Sequence, residues 1–254
     1  MRAQAKGALF EYCLRLGDNS LVLGQRLSEW CGHAPDFEMD MAASNLALDL
    51  IGQARLILDY AGKHDGAGRD ADALAFTRDV LQFRNILLVE QPNADWARTI
   101  ARQFLFSTFQ AFQFAELARS KDQDLAAIAA KSSKEIAYHK RFASGWMVRL
   151  GDGTEESHER LQRAVDRLWR FMPEMFDMDE VDRLMLEEGV GVDAAKLAAP
   201  WHGEVESVLR EATLQMPKLA RGIRGGRLGH HSEHLGHLLT EMQFLQRAYP
   251  GAEW

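Results

Sequence analysis

The feature that most constrains this chain is the helical spacing of its apolar residues over long stretches. In the stretch that follows Asp36, apolar side chains recur mainly at intervals of three or four: Met39, Ala42, Ala43, Leu46, Ala47, Leu50, Ile51, Ala54, Leu58 and Ala61. This spacing places them on one side of an α-helix of about 25 residues, roughly 37 Å long. The Asp36 carboxylate can cap the first turn of that helix.

The composition favours helices along the whole chain. There are 34 Ala and 32 Leu among 254 residues, whereas Val, Ile and Thr together number only 23. Strands favour β-branched residues, and helices favour Ala and Leu. The balance therefore predicts an all-α fold and argues against Rossmann folds, TIM barrels and β-sandwiches.

Glycine and proline breaks divide the chain into helical segments. We predict long helices over about 3–31, 36–61, 94–119 and 122–150, shorter helical pieces in 71–90, and further helices over about 155–171, 179–188, 194–215 and 230–249. The helices over 94–119 and 122–150 are joined by only a few residues, so they should pack antiparallel. No stretch resembles an interdomain linker. The sequence therefore predicts one domain over 1–254, a ferritin-like antiparallel bundle of long helices with accessory helices.

Charge and hydropathy bear on partners and location. The formal net charge is −7, so the surface as a whole does not attract nucleic acid. No run of about 18 apolar residues could cross a membrane, and the first ten residues hold no signal-peptide core. We therefore expect a cytoplasmic protein that binds neither nucleic acid nor membrane. Cys13 and Cys31 cannot form a disulfide framework and are expected to be buried helical thiols.

Many bundles of this kind hold a di-iron centre, which takes a Glu-x-x-His pair from each of two helices. Among the nine histidines, only His158 has a glutamate three residues earlier, Glu155. The pair directly follows Thr154 at a predicted helix start, where a threonine cap and acidic residues stabilise the first turn. We expect a solvated helix start at this position rather than a metal site.

The helices that would carry the iron ligands depart from the Glu-x-x-His pattern. The corresponding positions are Asp49 and Gly52 on the helix over 36–61, and Glu135 and Tyr138 on the helix over 122–150, with His139 one residue late. Neither glycine nor a phenol with a pKa near 10 replaces an imidazole ligand well. We expect these five residues to form a vestigial metal site, in which buried polar groups bond one another and no metal is bound.

Two metal-binding alternatives stay open. A self-sufficient di-iron oxidase or iron-storage bundle would use Glu29, Asp49, Glu116, Glu135 and His139. A zinc protein would use His234, His237 and Glu241, which fall at i, i+3 and i+7 on one helical face and have an acceptable ligand spacing. The arginines just upstream of these histidines disfavour a bound cation.

Two further segments carry interaction signals. The basic segment 218–227 could meet phosphate groups or an acidic partner, although a solvated loop is the plainer interpretation. Five phenylalanines occupy more than one side of the helix over 94–119: Phe104, Phe106, Phe109, Phe112 and Phe114. Such a helix is usually covered on both sides. A partner subunit or a second helical layer could provide that cover.

Several motifs along the chain carry a family resemblance. They are LRLGDN at 14–19, QRLSEWCGHAP at 25–35, FTRD at 76–79, LLVEQPN at 87–93, KE at 134–135 with YH at 138–139, LWRF at 168–171, EEG at 187–189, and SEHLG at 232–236 with EMQ at 241–243. On these motifs, the chain resembles the C subunits of bacterial ring 1,2-phenylacetyl-CoA epoxidases from about Leu14 to Trp254.

The resemblance implies a ferritin-like fold in a multicomponent monooxygenase. This enzyme converts phenylacetyl-CoA to its ring 1,2-epoxide with O2 and NADPH in aerobic phenylacetate catabolism. In the family, the di-iron centre belongs to a catalytic A subunit, and the C subunit is a structural partner without a cofactor of its own. A B subunit joins the assembly, and a reductase with FAD and a 2Fe-2S cluster delivers electrons. Homodimerisation of this chain stays open.

The resemblance also implies contact with the CoA ester near the boundary between the A and C subunits. By motif position, it points to Gln82, Phe83, Arg84 and Asn85, and further to Glu38, Arg183, Leu184 and Met185. Arg84 and Asn85 can donate hydrogen bonds to phosphate or amide oxygens. Side chains of these types on a surface helix are nevertheless more often solvated.

Overall fold

A computed structural model describes residues 3–218 and 221–252 of the chain. The helices are α1 (Ala3–Ser28), α2 (Phe37–Gly62), α3 (Ala71–Phe76), α4 (Trp96–Leu117), α5 (Gln123–Gly151), α6 (Glu155–Leu168), α7 (Pro173–Phe176), α8 (Glu180–Glu187), α9 (Ala198–Glu211) and α10 (Glu233–Ala248). Short 3₁₀ turns lie at Val80–Gln82, Trp169–Phe171, Ala194–Leu197 and Gly226–Leu228. The described residues contain no strand, so the all-α prediction is confirmed.

Side-chain caps determine where the long helices begin. Asp36 accepts a hydrogen bond from the Met39 backbone N–H at 2.7 Å, and α2 starts at the next residue, as predicted. Asp95 caps α4 and Asp122 caps α5 in the same way. A carboxylate that accepts from the first turn satisfies an otherwise unpaired amide. For this reason, local sequence is sufficient to predict these starts within two residues.

Several helix ends differ from the predictions. The first helix ends at Ser28 rather than near Cys31, because the chain turns through tighter hydrogen bonds after Ser28; Cys31 is exposed, so its predicted burial was wrong. The helix predicted over 194–215 begins as a 3₁₀ turn and ends at Glu211, because Thr213 adopts a φ of 59°. The last helix begins at Glu233, because His231 is held by a contact with Glu90.

The described chain divides into two compact units. Unit 1 comprises the residues up to Pro92 together with those from Arg224 onward, and unit 2 comprises Asn93–Ile223. Unit 1 therefore contains α1, α2, α3 and α10, and unit 2 contains α4 to α9. The single domain over 1–254 stays a prediction.

In unit 1, α1 packs along α2, and α10 contacts α1 and α3. Glycines allow the close approach of the first two helices. A Cβ added at Gly17 would lie 2.8 Å from the Leu58 side chain, and one at Gly24 would lie 3.0 Å from Ile51. Large aliphatic side chains fill the interface, among them Leu9, Leu23, Leu46, Leu50 and Ile57.

In unit 2, α4 packs along α5 and is covered by α6 and α9. From Trp96 to Gln110, every residue except Arg98 is buried. Trp201 of α9 is fully buried and donates from Nε1 to the Leu105 carbonyl at 3.0 Å. The phenylalanine-rich helix is thus covered by a second layer of helices within this chain, which supports that alternative over a partner subunit.

None of the helices in the described ranges is both long and apolar enough to cross a membrane.

The end of α5 provides a test of the packing in unit 2. A Cβ added at Gly151 would lie 2.2 Å from the Ala212 carbonyl oxygen, and backbone atoms cannot move aside without strain. Gly151→Ala should lower the free energy of unfolding by about 1–3 kcal/mol, measured by urea denaturation. The control, Gly145→Ala on the same helix, meets nothing within 4 Å and should be neutral or stabilising by up to about 1 kcal/mol. Equal losses in both variants would contradict this account.

Candidate functional site

Unit 1 holds two buried carboxylates. Asp18 lies on α1 and Glu90 lies in the segment after α3, and both residues are 0% exposed. A buried carboxylate is costly unless it is hydrogen-bonded and paired with a cation. The groups that satisfy these two residues come from the 78–85 segment and from the chain around His231.

Arg78 pairs with Asp18 through both ends of its guanidinium group. Its Nη1 lies 2.9 Å from Asp18 Oδ2, and its Nη2 contacts Oδ1. The backbone N–H of Arg84 donates to Oδ2 at 2.8 Å. The Arg78 guanidinium also lies 4.3 Å from the centre of the Phe83 ring, a cation–π contact. The pair therefore joins α1 to the segment that follows α3.

Glu90 is hydrogen-bonded by three groups. Asn85 Nδ2 donates to it at 2.9 Å, and the Ser232 backbone N–H donates at 2.7 Å. His231 Nδ1 lies 2.7 Å from Oε2, and the other ring nitrogen lies 3.0 Å from the Phe83 carbonyl oxygen. Both ring nitrogens face acceptors, so only the doubly protonated imidazolium donates in both contacts.

The surroundings raise the pKa of His231 above its ordinary value of 6.5. Burial disfavours the charged ring and lowers the pKa. The hydrogen bond that His231 donates to Glu90, together with the negative charge of Glu90, outweighs this effect, with smaller contributions from the Phe83 carbonyl and the Asp18 charge. His231 therefore acts as a buried cation that neutralises Glu90.

Further polar contacts fasten α10 to the rest of unit 1. Arg26 of α1 donates to the Glu90 carbonyl at 3.1 Å and to the His234 carbonyl at 2.8 Å. Gln243 Nε2 donates to the carbonyls of Ala75 at 2.9 Å and Arg78 at 3.0 Å. Because these donors and acceptors bond one another, the cluster positions backbone segments of this chain rather than a reacting group.

The substrate contacts implied at 82–85 have partners within unit 1. Phe83 is buried beneath the Arg78 guanidinium, and Asn85 is buried against Glu90. Arg84 pairs with Glu11 at 2.9 Å. Gln82 is exposed and accepts from the Asp79 backbone N–H at 2.8 Å. None of these contacts tests substrate binding, so the role of the four residues stays a prediction.

The other implied substrate contacts lie on two other helices. Glu38 is exposed in the first turn of α2, in unit 1. The remaining three lie on α8, in unit 2, where Arg183 is exposed, Leu184 is half-buried and Met185 is buried. Their role in substrate binding also stays a prediction.

The vestigial metal-site positions fall on two helices, with Asp49 and Gly52 on α2 and Glu135, Tyr138 and His139 on α5. His139 is 0% exposed, whereas Tyr138 is 38% exposed and Gly52 is also exposed. On α2, the buried polar side chain is therefore Gln53, next to the predicted position Gly52. On α5, the predicted position His139 is buried.

The side chains of the alternative metal sites are dispersed. Glu29 pairs with Arg26 at 2.6 Å, and Glu116 pairs with Arg119 at 2.8 Å. On α10, His237 and Glu241 are exposed and His234 is half-buried. Across the described residues, no group of three His, Cys, Asp or Glu side chains is arranged to hold a metal ion.

Known proteins provide the family assignment. The family model described as "Phenylacetic acid catabolic protein" matches residues 1–254. The chain belongs to this family. It is also 53% identical over 246 residues to the C subunit of the 1,2-phenylacetyl-CoA epoxidase of Escherichia coli (strain K12), a match that covers 97% of this chain and 99% of that protein. The resemblance drawn from the motifs is thereby confirmed.

A di-iron centre does not fit the described residues of this family member. Such a centre takes glutamates from several helices together with two Glu-x-x-His pairs, and iron requires carboxylate and imidazole ligands. The Glu-x-x-His positions hold Asp49 and Gly52 on α2, and Glu135 and Tyr138 on α5, and no three metal-binding side chains cluster in the described ranges.

The buried polar cluster was not predicted from the sequence. A signal exists for one of its two acids, because Glu90 directly follows Ile86-Leu87-Leu88-Val89, whereas Asp18 is flanked by Gly17 and Asn19. A charged residue inside an apolar run indicates a buried charge that needs a partner. The motifs at 76–79 and 232–236 contain or adjoin those partners, but nothing in them indicates the pairing.

Removing Arg78 tests the buried ion pair. Arg78→Met leaves the Asp18 carboxylate buried without its cation, so the free energy of unfolding should fall by about 3–5 kcal/mol. Urea denaturation followed by circular dichroism measures this loss. The double variant Asp18→Leu/Arg78→Met removes both charges and should be less destabilised than the sum of the two single variants. Additive losses would show that the two side chains are not coupled.

His231 should make the stability of the chain depend on pH. Its pKa is raised on folding, so its stabilising contribution is complete below about pH 6.5 and is lost as the pH rises through the folded-state pKa. Thermal unfolding between about pH 6 and pH 9 should therefore show wild-type losing stability relative to His231→Gln. His237→Gln, at an exposed position on α10, should keep the wild-type profile. Parallel profiles for wild-type and His231→Gln would contradict this assignment.

Proposed function

We propose that this chain is a non-catalytic structural subunit of a monooxygenase that epoxidises the aromatic ring of phenylacetyl-CoA. One observation carries the proposal. The chain is 53% identical, over 97% of its length, to the C subunit of such an epoxidase, and its described residues contain no group of three metal-binding side chains. Oxygen activation in this assembly then falls to another subunit.

The proposed assembly follows from the family resemblance. A catalytic A subunit holds the di-iron centre, a B subunit joins the complex, and a reductase with FAD and a 2Fe-2S cluster passes electrons from NADPH. Phenylacetyl-CoA lies near the boundary of the A and C subunits. Of the implied contact residues on this chain, Gln82, Arg183 and Glu38 have exposed polar side chains and are the ones suited to reach a ligand.

The exposed side of α2 is the surface that we assign to the catalytic subunit. Phe37, Met41 and Leu48 are 74%, 49% and 67% exposed, and their spacing places them on one side of the helix. The acidic residues Asp36 and Glu38 lie at the start of this stripe. A partner helix with an apolar stripe and basic flanks complements both features, whereas a second copy would bring like charges together.

Co-expression with the A subunit of such an epoxidase tests the proposal. We expect the two chains to co-elute on size exclusion and the iron to be found only in preparations that contain the A subunit. Leu48→Glu should weaken the complex by about tenfold or more, because a charge replaces an apolar contact. The control is Phe244→Glu on α10, another exposed apolar position at 60% exposure, which should leave assembly unchanged.

Two results would overturn parts of the proposal separately. A complex that tolerates Leu48→Glu but loses its A subunit with Phe244→Glu would reject the assignment of α2 and retain the assembly. Stoichiometric iron on this chain alone, lost in Glu135→Ala and accompanied by O2-dependent turnover of phenylacetyl-CoA, would reject the structural role and identify a self-sufficient di-iron oxidase.

A further inference from the structure

Unit 2 contains a small cavity lined by arginines. It has a volume of about 70 Å³ and opens between the start of α4 and one side of α6. The lining residues are Ala94, Asp95, Arg98, Arg160, Arg163, Ala164 and Arg167. The three α6 arginines are spaced by three and four residues and share one side of the helix. The small Ala164 side chain between them leaves the cavity open.

The arginines of this cavity are not equally neutralised. Arg160 pairs with Glu156 at 2.6 Å and with Asp95 at 3.7 Å, and Arg163 pairs with Glu159 at 3.1 Å. Within the described ranges, no carboxylate lies within ion-pair distance of Arg167. The cavity therefore has a surplus of positive charge on the side of Arg167.

Arg98 lines the same cavity. Burial lowers the pKa of Arg98, and the positive charge of Arg167 lowers it further, with only part of the effect offset by Asp95. Arginine nevertheless stays protonated at neutral pH. Arg98 also lies in the first turn of α4, where the free backbone amides carry partial positive charge. Two guanidinium groups and a helix start thus place like charges around one cavity.

We propose that this cavity binds a phosphate group, either as inorganic phosphate or as the phosphomonoester of a nucleotide. The planar guanidinium groups of Arg98 and Arg167 match the oxygen pairs of a phosphate. A dianion between them relieves the repulsion between the two like charges. The site consists of residues of unit 2 alone and does not depend on the proposed function.

Titration of the full chain with inorganic phosphate at constant ionic strength tests the site. Isothermal titration calorimetry should detect saturable binding by wild-type, and Arg167→Gln should weaken it about tenfold, since a charge-assisted hydrogen bond is lost. The matched control is Arg210→Gln on α9 of the same unit, an exposed arginine that pairs with Glu206 four residues earlier at 2.9 Å. This variant has the same net charge as Arg167→Gln and should bind as wild-type does.

A second titration with AMP identifies the source of the phosphate. Tighter binding of AMP than of inorganic phosphate, still weakened by Arg167→Gln, supports a phosphomonoester on a nucleotide; equal binding supports the free ion. Equal affinities of wild-type, Arg167→Gln and Arg210→Gln would overturn the proposal, as would the absence of saturable binding. Circular dichroism of each variant confirms folding, which Arg167→Gln should preserve because the side chain is exposed.

Discussion

The buried Asp18–Arg78 ion pair is the contact on which the arrangement of unit 1 depends. Asp18 is fully buried on α1, where an unpaired carboxylate is prohibitively costly. Its cation comes from the segment after α3, and its third hydrogen bond comes from the Arg84 backbone. A shift of this segment along α1 would therefore leave the Asp18 carboxylate without its cation in an apolar environment. Replacement of such a pair by apolar residues is often tolerated, so its contribution is to fix the placement of the segment.

The second carboxylate extends this constraint to the C-terminal part of the chain. Glu90 is satisfied by His231 and by the backbone of Ser232, and Arg26 reaches the first turn of α10 through the His234 carbonyl. Gly226, which precedes α10, is buried in this unit as well, and a Cβ on it would lie 2.2 Å from the Asn85 carbonyl oxygen. In unit 1, charge pairing thus joins α1 and the segment after α3 to the part of the chain around the start of α10.

Local features of the sequence predicted the helices, whereas the polar cluster required distant partners. Asp36, Asp95 and Asp122 act within three residues of themselves, so spacing alone is sufficient to place the helix starts. Arg78 is 60 residues from Asp18, and His231 is 141 residues from Glu90. A periodic pattern does not specify such pairs. It also leaves uncertain which side of the helix a residue faces. An error of one residue turns the assigned position by about 100° around the helix axis, which is the difference between exposed Gly52 and buried Gln53.

The same cluster bears on how the helices of unit 1 are held together. A di-iron centre links several helices of a bundle through its ligands, and a chain without that donor set needs other connections between them. In unit 1, two buried carboxylates and their cations join α1, the segment after α3, and α10. In unit 2, α4 is covered by apolar packing against α5, α6 and α9. In the proposed structural role, these buried contacts would keep the surface that meets the partner in a fixed shape.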